Sequence, residues 1–354
     1  MKIVRLTTLL DFGGQERKYI SFTQDPSLLT NDYVFAALGH GGYAEKKIKE
    51  LGFEVVIFNQ NPSISNLKNI WMLFKWFKKI QPDLVHTAAA EANFHGTIAA
   101  KLAGVKIVIA EEIGFPTHSK KAIKVFRIVY KFCNIVICVS QAVKDFLIEI
   151  KEIQPDKGIL IYNPVGKPKN IERNLSNNFT IVCVGRLEKV KNQQLLINVF
   201  SRLKDKNAKL ILVGEGRERV NLQKMIDDLG LNDRITITGF SSAPEKYLAQ
   251  ANLFVLPSLS EGFGIAVVEA MQQGLPCLCS SIGGIPEFIE ENKTGWMFNP
   301  NNENELYEKL EKIKALSAIE LYAVGTNARN YVLNNFSEKK YVAELESLYD
   351  KHND

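Results

Sequence analysis

Four side chains and their spacing set out the chemistry this sequence could do. Arg186 and Lys191 sit in the run GRLEKVKN (185–192), and Glu261 and Glu269 in SEGFGIAVVE (260–269). A guanidinium is a planar fork that can hold phosphate oxygens, and a lysine adds a point charge beside it. The carboxylates would repel a phosphate, so as ligand groups they fit hydroxyls, from which they accept hydrogen bonds. A ligand with both phosphate and many hydroxyls is a sugar nucleotide. Plainer readings exist for each residue alone. Lys189 and Lys191 could belong to a solvated loop, and an acid near a helix N-terminus can be there for the dipole. Two lysines beside a strand-end arginine favour phosphate.

The elements that must position these residues follow one pattern. Residues 253–256 are an apolar run too short for a helix and closed by Pro257, which reads as a buried parallel strand. From Ile265 the apolar positions share one helical face through Met271, and Gly274 followed by Pro276 ends that helix. A second strand, 276–279, runs into the pair Gly283-Gly284. Strand, glycine loop and helix together aim backbone N–H groups at the carboxyl edge of a sheet, where anions bind. Gly262, Phe263, Gly264 and Ile265 form that opening, and Gly185, Gly214, Gly239 and Phe240 close further strands on the same edge. Near the start, Gly13 and Gly14 open a helix after the strand 2–6, alone a weak phosphate-loop signal.

The alternation extends along the chain. Strands are predicted at 33–38, 53–58, 84–87, 106–110, 135–139 and 158–161, with helices at 66–80, 92–103, 120–131 and 142–150. After a Pro-, Asn- and Lys-rich linker, 163–178, strands recur at 180–184, 209–213, 235–239, 253–256 and 275–279. Helices at 192–203, 217–229 and 243–249 lie between them, and the tail from 303 is helical with a break near 334–337. This is an α/β chain of two doubly wound parallel sheets. Its 354 residues exceed what one core usually serves. No apolar run reaches the roughly 18 residues of a spanning helix. The start runs directly into a strand, unlike a signal peptide. The five cysteines sit mostly in apolar runs and read as buried free thiols of a reducing compartment, so a cytoplasmic location is expected. Cys277 and Cys279 alternate on a strand without a second pair for zinc.

The order GRLEKVKN, VGEG (213–216), GF (239–240), SLSEGFGIAVVEAMQQGLP (258–276) and GGIPE (283–287) resembles family 4 of the retaining glycosyltransferases. DFGGQERKYISF (11–22) is similar to that family's N-terminal glycine loop. PDLVHTAAAEANFHGTIAAKLAG (82–104) resembles its mid-domain signature, and VSQAVKDFL (139–147) with IYNPV (161–165) the end of its first domain. The resemblance implies a GT-B fold, two Rossmann-like domains facing across a cleft. Residues 1–165 would form the acceptor-binding domain, with the helix 337–354 packing back on it, and 166–336 the nucleotide-sugar-binding domain. Arg186 and Lys191 would bind the diphosphate, Glu261 the donor sugar and Glu269 the ribose, with Gly262 to Ile265 nearby and Gly13-Gly14 approaching the diphosphate. Many members carry a histidine in the loop after the strand equivalent to 106–110. This chain has Glu111-Glu112-Ile113-Gly114-Phe115-Pro116 there, so Glu112 or His118 is expected to take its place, with His86 at a strand end as a further candidate.

The activity implied is transfer of a hexose-type sugar, with retention, from a nucleoside diphosphate sugar to a glycan or lipid-linked glycan acceptor in cell-surface polysaccharide or lipopolysaccharide synthesis. UDP is the expected nucleotide. No cofactor is expected. No metal is expected either, because no Asp-x-Asp pair occurs and cations already fill the phosphate role. The alternatives are a sugar-nucleotide 2-epimerase of similar fold and a non-catalytic, transferase-like partner subunit. No nucleic-acid partner is expected. Residues 1–165 hold 21 Lys and Arg against 15 Asp and Glu, a balance of +6, and the remainder 23 against 24. That asymmetry points to peripheral docking on an anionic membrane surface. The helix at 120–131 is preferred as the contact, while Trp71 and Phe74 on the helix at 66–80 are expected in the core.

Overall fold

The computed structural model describes residues 1–11, 13–168 and 178–352. Phe12 of the predicted glycine turn, residues 169–177 of the predicted linker and the last two residues of the predicted C-terminal helix lie outside that range. The chain divides into two compact units, Met1–Lys167 with Phe336–Asp354, and Pro168–Asn335.

Among the described residues, the first unit holds strands β1 (Lys2–Thr7), β2 (Asp32–Ala37), β3 (Glu54–Ile57), β4 (Leu84–Ala88), β5 (Ile107–Glu112), β6 (Ile135–Cys138) and β7 (Gly158–Leu160). They pair in parallel in the order β3-β2-β1-β4-β5-β6-β7. β1, β4, β5 and β6 are buried almost end to end, which is why they are mainly apolar, with Arg5, His86, Glu111 and Glu112 as buried exceptions. Helices α1 (Gly14–Thr23), α2 (Tyr43–Glu50), α3 (Lys68–Ile80), α4 (Ala90–Ala103), α5 (Lys120–Phe132) and α6 (Gln141–Glu149) connect them. Ser119 and Ser140 cap α5 and α6, each accepting a hydrogen bond from an N–H three residues on. α3, α4 and α5 pack side by side. Leu73 and Phe77 are the core residues of α3. Trp71 is not, contrary to the sequence expectation: it is 58% exposed, and its ring stacks on the half-buried Phe74.

The second unit holds β8 (Thr180–Val184), β9 (Lys209–Val213), β10 (Ile235–Gly239), β11 (Leu253–Leu256), β12 (Cys277–Ser280) and β13 (Trp296–Phe298). These are parallel too, in the order β10-β9-β8-β11-β12-β13. β13 was not anticipated, being three residues long without a period-2 run. The helices are α7 (Gln193–Arg202), α8 (Arg219–Asp228), α9 (Glu245–Leu248), α10 (Ile265–Gln272), α11 (Glu303–Lys314) and α12 (Ala318–Asn335). Ser337 caps the last helix, α13 (Glu338–Lys351), which belongs to the first unit. There Tyr341, Val342, Leu345 and Tyr349 join the core of Ile3, Phe22 and Phe35, and Glu346 accepts from Tyr33 Oη at 2.5 Å. All five cysteines are free and buried.

Both sheets reverse strand order once, at β1/β4 and at β8/β11. Outside the carboxyl ends of such a pair the flanking loops diverge and leave room for a ligand.

Candidate active site

The β8/β11 reversal brings together what the sequence separates. After β8 the chain passes Gly185 and Arg186 into a short turn, Lys189–Lys191, and Asn192 adopts a left-handed conformation to start α7. After β11 it passes Ser258 and Glu261 to Gly264, which caps α10. Leu259 N donates to Val190 O at 2.7 Å, tying the two loops together. Lys191 Nζ lies 2.5 Å from Glu261 Oε1, and Ser258 Oγ donates to the same oxygen at 2.7 Å. The side chains of Lys191 and Glu261 are only 19% and 9% exposed. The cation expected at phosphate and the carboxylate expected at hydroxyls are therefore each other's partner here.

Arg186 stands beside this pair. Its neighbours are pinned: Gly185 N donates to Val213 O at 3.0 Å, and Leu187 N to Glu215 O at 2.9 Å. Its own carbonyl accepts from Gln193 Nε2 at 2.9 Å, yet the residue is exposed and its guanidinium has no described partner. A fixed backbone with an unengaged guanidinium can take up an anion with little reorganisation. Two glycines shape the edge. A Cβ on Gly214 would fall 1.9 Å from Gly185 O, so only glycine lets these turns approach. Gly264 has φ +96°, a left-handed conformation that starts α10 and seats Phe263 in the core against Phe288. Glu269 lies one turn beyond Ile265 and is half-buried. Gly239, also left-handed, ends β10, and Phe240 follows it with 48% exposure. The structure thus gathers Arg186, Lys191, Glu261, Glu269 and the glycine turns onto the carboxyl edge of one sheet.

In the first unit Gly13 and Gly14 open α1 after β1, and Gly13 O accepts the helix's first hydrogen bond, from Arg17 N at 3.1 Å. Of the other candidates there, His86 and Glu112 prove to be internal. His86 is fully buried in β4, its Nδ1 2.7 Å from Tyr349 Oη and its Nε2 3.3 Å from Glu111 Oε2. Burial, with Arg5 nearby, holds its imidazole down to about 3, so it is neutral and structural. Glu112 does not open to the edge either. Its carboxylate accepts from Tyr130 Oη and from Asn93 Nδ2, and burial pushes it up to about 7 despite those donors. His118 is half-buried, stacked on Phe126 at 4.2 Å, with Nδ1 2.7 Å from Glu152 Oε1.

Sequence reasoning missed Arg5, Lys18 and Glu111, a buried ionic cluster, and Glu152, which holds His118. Lys18 Nζ bonds Glu111 Oε1, and Arg5 Nη2 lies 3.8 Å from Glu111 Oε2. Burial opposes ionisation of Glu111, but Lys18, His86 and Arg5 hold it well below the usual carboxylate range. Burial also brings Lys18 down to about 8. The doublet Glu111-Glu112 was visible. Period-2 alternation sends its members to opposite faces of β5, one toward α1 and α13 and the other toward α4 and α5. Among the described residues no cluster of acids, cysteines and histidines could hold a metal ion.

Two parallel-sheet Rossmann-like units, the second carrying cations and carboxylates at its strand-order reversal, define the GT-B class of glycosyltransferases. The structure of Anabaena HepE in complex with UDP and glucose superposes with a TM-score of 0.85, covering 99% of this chain and 100% of that one at 20% identity. The chain belongs to family 4 of the glycosyltransferases: the Glycosyltransferase Family 4 pattern matches residues 31–166, and the Glycosyl transferases group 1 pattern residues 167–331. Among its relatives is the Escherichia coli UDP-Gal:alpha-D-GlcNAc-diphosphoundecaprenol alpha-1,3-galactosyltransferase, 28% identical over 81% of this chain and 80% of that enzyme. The Bacillus anthracis N-acetyl-alpha-D-glucosaminyl L-malate synthase is 28% identical over 56% of this chain, which spans 55% of that enzyme.

Proposed function

We propose that this glycosyltransferase moves a hexose-type sugar from UDP to a hydroxyl of a glycan or lipid-linked glycan, with retention and without a metal ion, in cell-surface polysaccharide or lipopolysaccharide synthesis. The observation that carries the reading is the Lys191–Glu261 pair, which joins two loops at the strand-order reversal beside the unengaged guanidinium of Arg186. Arg186 and Lys191 are the diphosphate contacts. As the bond to the sugar breaks, charge develops on the departing phosphate, and donors already in place stabilise it without reorganising. Glu261, held by Ser258 and Lys191, accepts from sugar hydroxyls, and Glu269 from the ribose. The glycine turns, Gly13-Gly14 among them, let backbone approach the donor. Two cationic side chains at the phosphate make a divalent ion unnecessary for leaving-group neutralisation. The relative acting on a diphosphoundecaprenol-linked sugar supports a lipid-linked acceptor, and work on the cytoplasmic face of the membrane suits such a substrate.

Incubation with UDP-sugars and glycan or lipid-linked acceptors, read by NMR at the new anomeric centre, tests the reading. An α-linked product from an α-linked donor is expected. Inversion would refute retention, and an epimerised sugar formed without acceptor would identify an epimerase.

A further inference from the structure

We infer that the outer surface of the α3–α4–α5 layer is a docking surface for anionic lipid, with α5 as its principal contact. α3 and α5 together carry nine Lys and Arg residues and no acid. On α5, Lys120, Lys121, Lys124 and Lys131 are all exposed, and none forms an ion pair with a described residue. The same exposed face carries Val125, Ile128 and Phe132, which are 41%, 56% and 50% exposed. Their spacing of three and four places them in one stripe along the helix, beside the lysines. The opposite face, Phe126, Val129 and Tyr130, holds α5 in the unit's core. The exposed side therefore carries an apolar row, Val125, Ile128 and Phe132, with Lys121 one turn before it in the same row and Lys120, Lys124 and Lys131 alongside.

A helix needs only one apolar face to fold, so the second requires another cause. An interfacial helix has this division: apolar side chains enter the headgroup boundary while lysines reach phosphate. Helix α3, on the other side of α4, repeats the chemistry. Trp71 is 58% and Leu67, which precedes the helix, 60% exposed, and Lys68, Lys75, Lys78 and Lys79 are exposed too. Indole rings settle at membrane interfaces, and the two acid-free helices α3 and α5 are complementary to anionic headgroups. An acidic protein surface would satisfy the cations but not the combination of exposed indole, phenyl and branched aliphatic groups beside them. Among the described residues no helix is long and apolar enough to cross a membrane. The residues of this surface belong to the first unit and Arg186, Lys191, Glu261 and Glu269 to the second, so lipid binding and catalysis can fail independently.

Sedimentation of the full chain with phosphatidylglycerol–phosphatidylcholine vesicles, and with phosphatidylcholine alone, tests the inference. Binding to the anionic vesicles is expected at low salt, weakening steeply as the screening length shrinks. Changing Lys120, Lys121 and Lys124 together to Gln should lower the partition coefficient on the order of a hundred-fold, since each cation near an anionic surface contributes roughly five-fold. Ile128→Ser with Phe132→Ser should weaken binding while keeping its salt dependence. Circular dichroism and the melting curve confirm that the variants are folded. Binding that ignores lipid charge, binding unchanged in the lysine variant, or no binding at low salt would each overturn the inference. Loss in the lysine variant with no effect of the apolar pair would overturn insertion of the stripe.

Discussion

Lys191→Met separates the two tasks assigned to one ammonium group. Removing it leaves Glu261, 9% exposed, with Ser258 Oγ as the remaining donor at 2.7 Å. Breaking a fully buried ion pair costs roughly 3–5 kcal/mol, and an exposed pair contributes less than about 1 kcal/mol. With Lys191 19% exposed, the site lies between these limits, and a loss of about 2 kcal/mol is expected. For a unit of this size that corresponds to a fall in Tm of roughly 4–8 °C. Adding Glu261→Gln removes the stranded charge and should recover most of that loss, giving a coupling of about 1–2 kcal/mol in a double-mutant cycle. Turnover should behave differently. The proposed phosphate contact is missing in both variants, so kcat/KM should fall on the order of a hundred-fold in the single variant and at least as far in the double, which also alters the proposed Glu261 contact to the sugar. Differential scanning calorimetry and nucleoside diphosphate release measure the two quantities on the same preparations. A double variant with near-normal turnover would refute the phosphate role of Lys191. A cycle with no coupling would refute the pair.

Arg186→Ala should cost a comparable factor in kcat and leave Tm unchanged, because its side chain is exposed and has no partner among the described residues, while Glu269→Ala should act mainly on donor KM; normal turnover in the Arg186 variant would remove it from the site. Activity should survive EDTA, and a complete loss reversed by Mg²⁺ would show that the leaving group is neutralised by a metal. The Glu112 carboxyl, raised to about 7 in the folded chain, binds its proton more tightly there than when unfolded, so stability should fall as pH rises from about 4.5 to 7. Glu112→Gln should flatten that slope in denaturant titrations and, the group being internal, damage transfer less than His118→Ala; the reverse order would return Glu112 to the sugar contact.

Much of the second unit was legible because its signals are local. A short apolar run closed by Pro257, a glycine opening and one apolar face from Ile265 to Met271 each depend on neighbours in the chain, and they became β11, the cap at Gly264 and α10. The first unit's buried groups were not legible. Nothing local to Lys18 announces that it will lie against Glu111, 93 residues away, with neither exposed to solvent. Trp71 was expected in the core because its helix precedes the strand at 84–87, and such a helix normally packs on the sheet. The helical phase of α3 is set instead by Leu73 and Phe77, and it turns Trp71 outward.

The sequence by itself determined the succession of strands, glycine turns and helices, and the kinds of charge delivered to each strand end. These follow from side-chain periodicity and backbone freedom, which act over a few residues. Tertiary structure decided which strand ends are neighbours, and so which charges meet. β8 lies beside β11 only because the sheet reverses its order there, and that adjacency carries Lys191 onto Glu261 across 70 residues of chain. The same folding sent Glu111 and Glu112, adjacent in sequence, to opposite faces of one strand. Burial and nearby cations keep the first a carboxylate; the second, buried without a cation, favours the neutral acid.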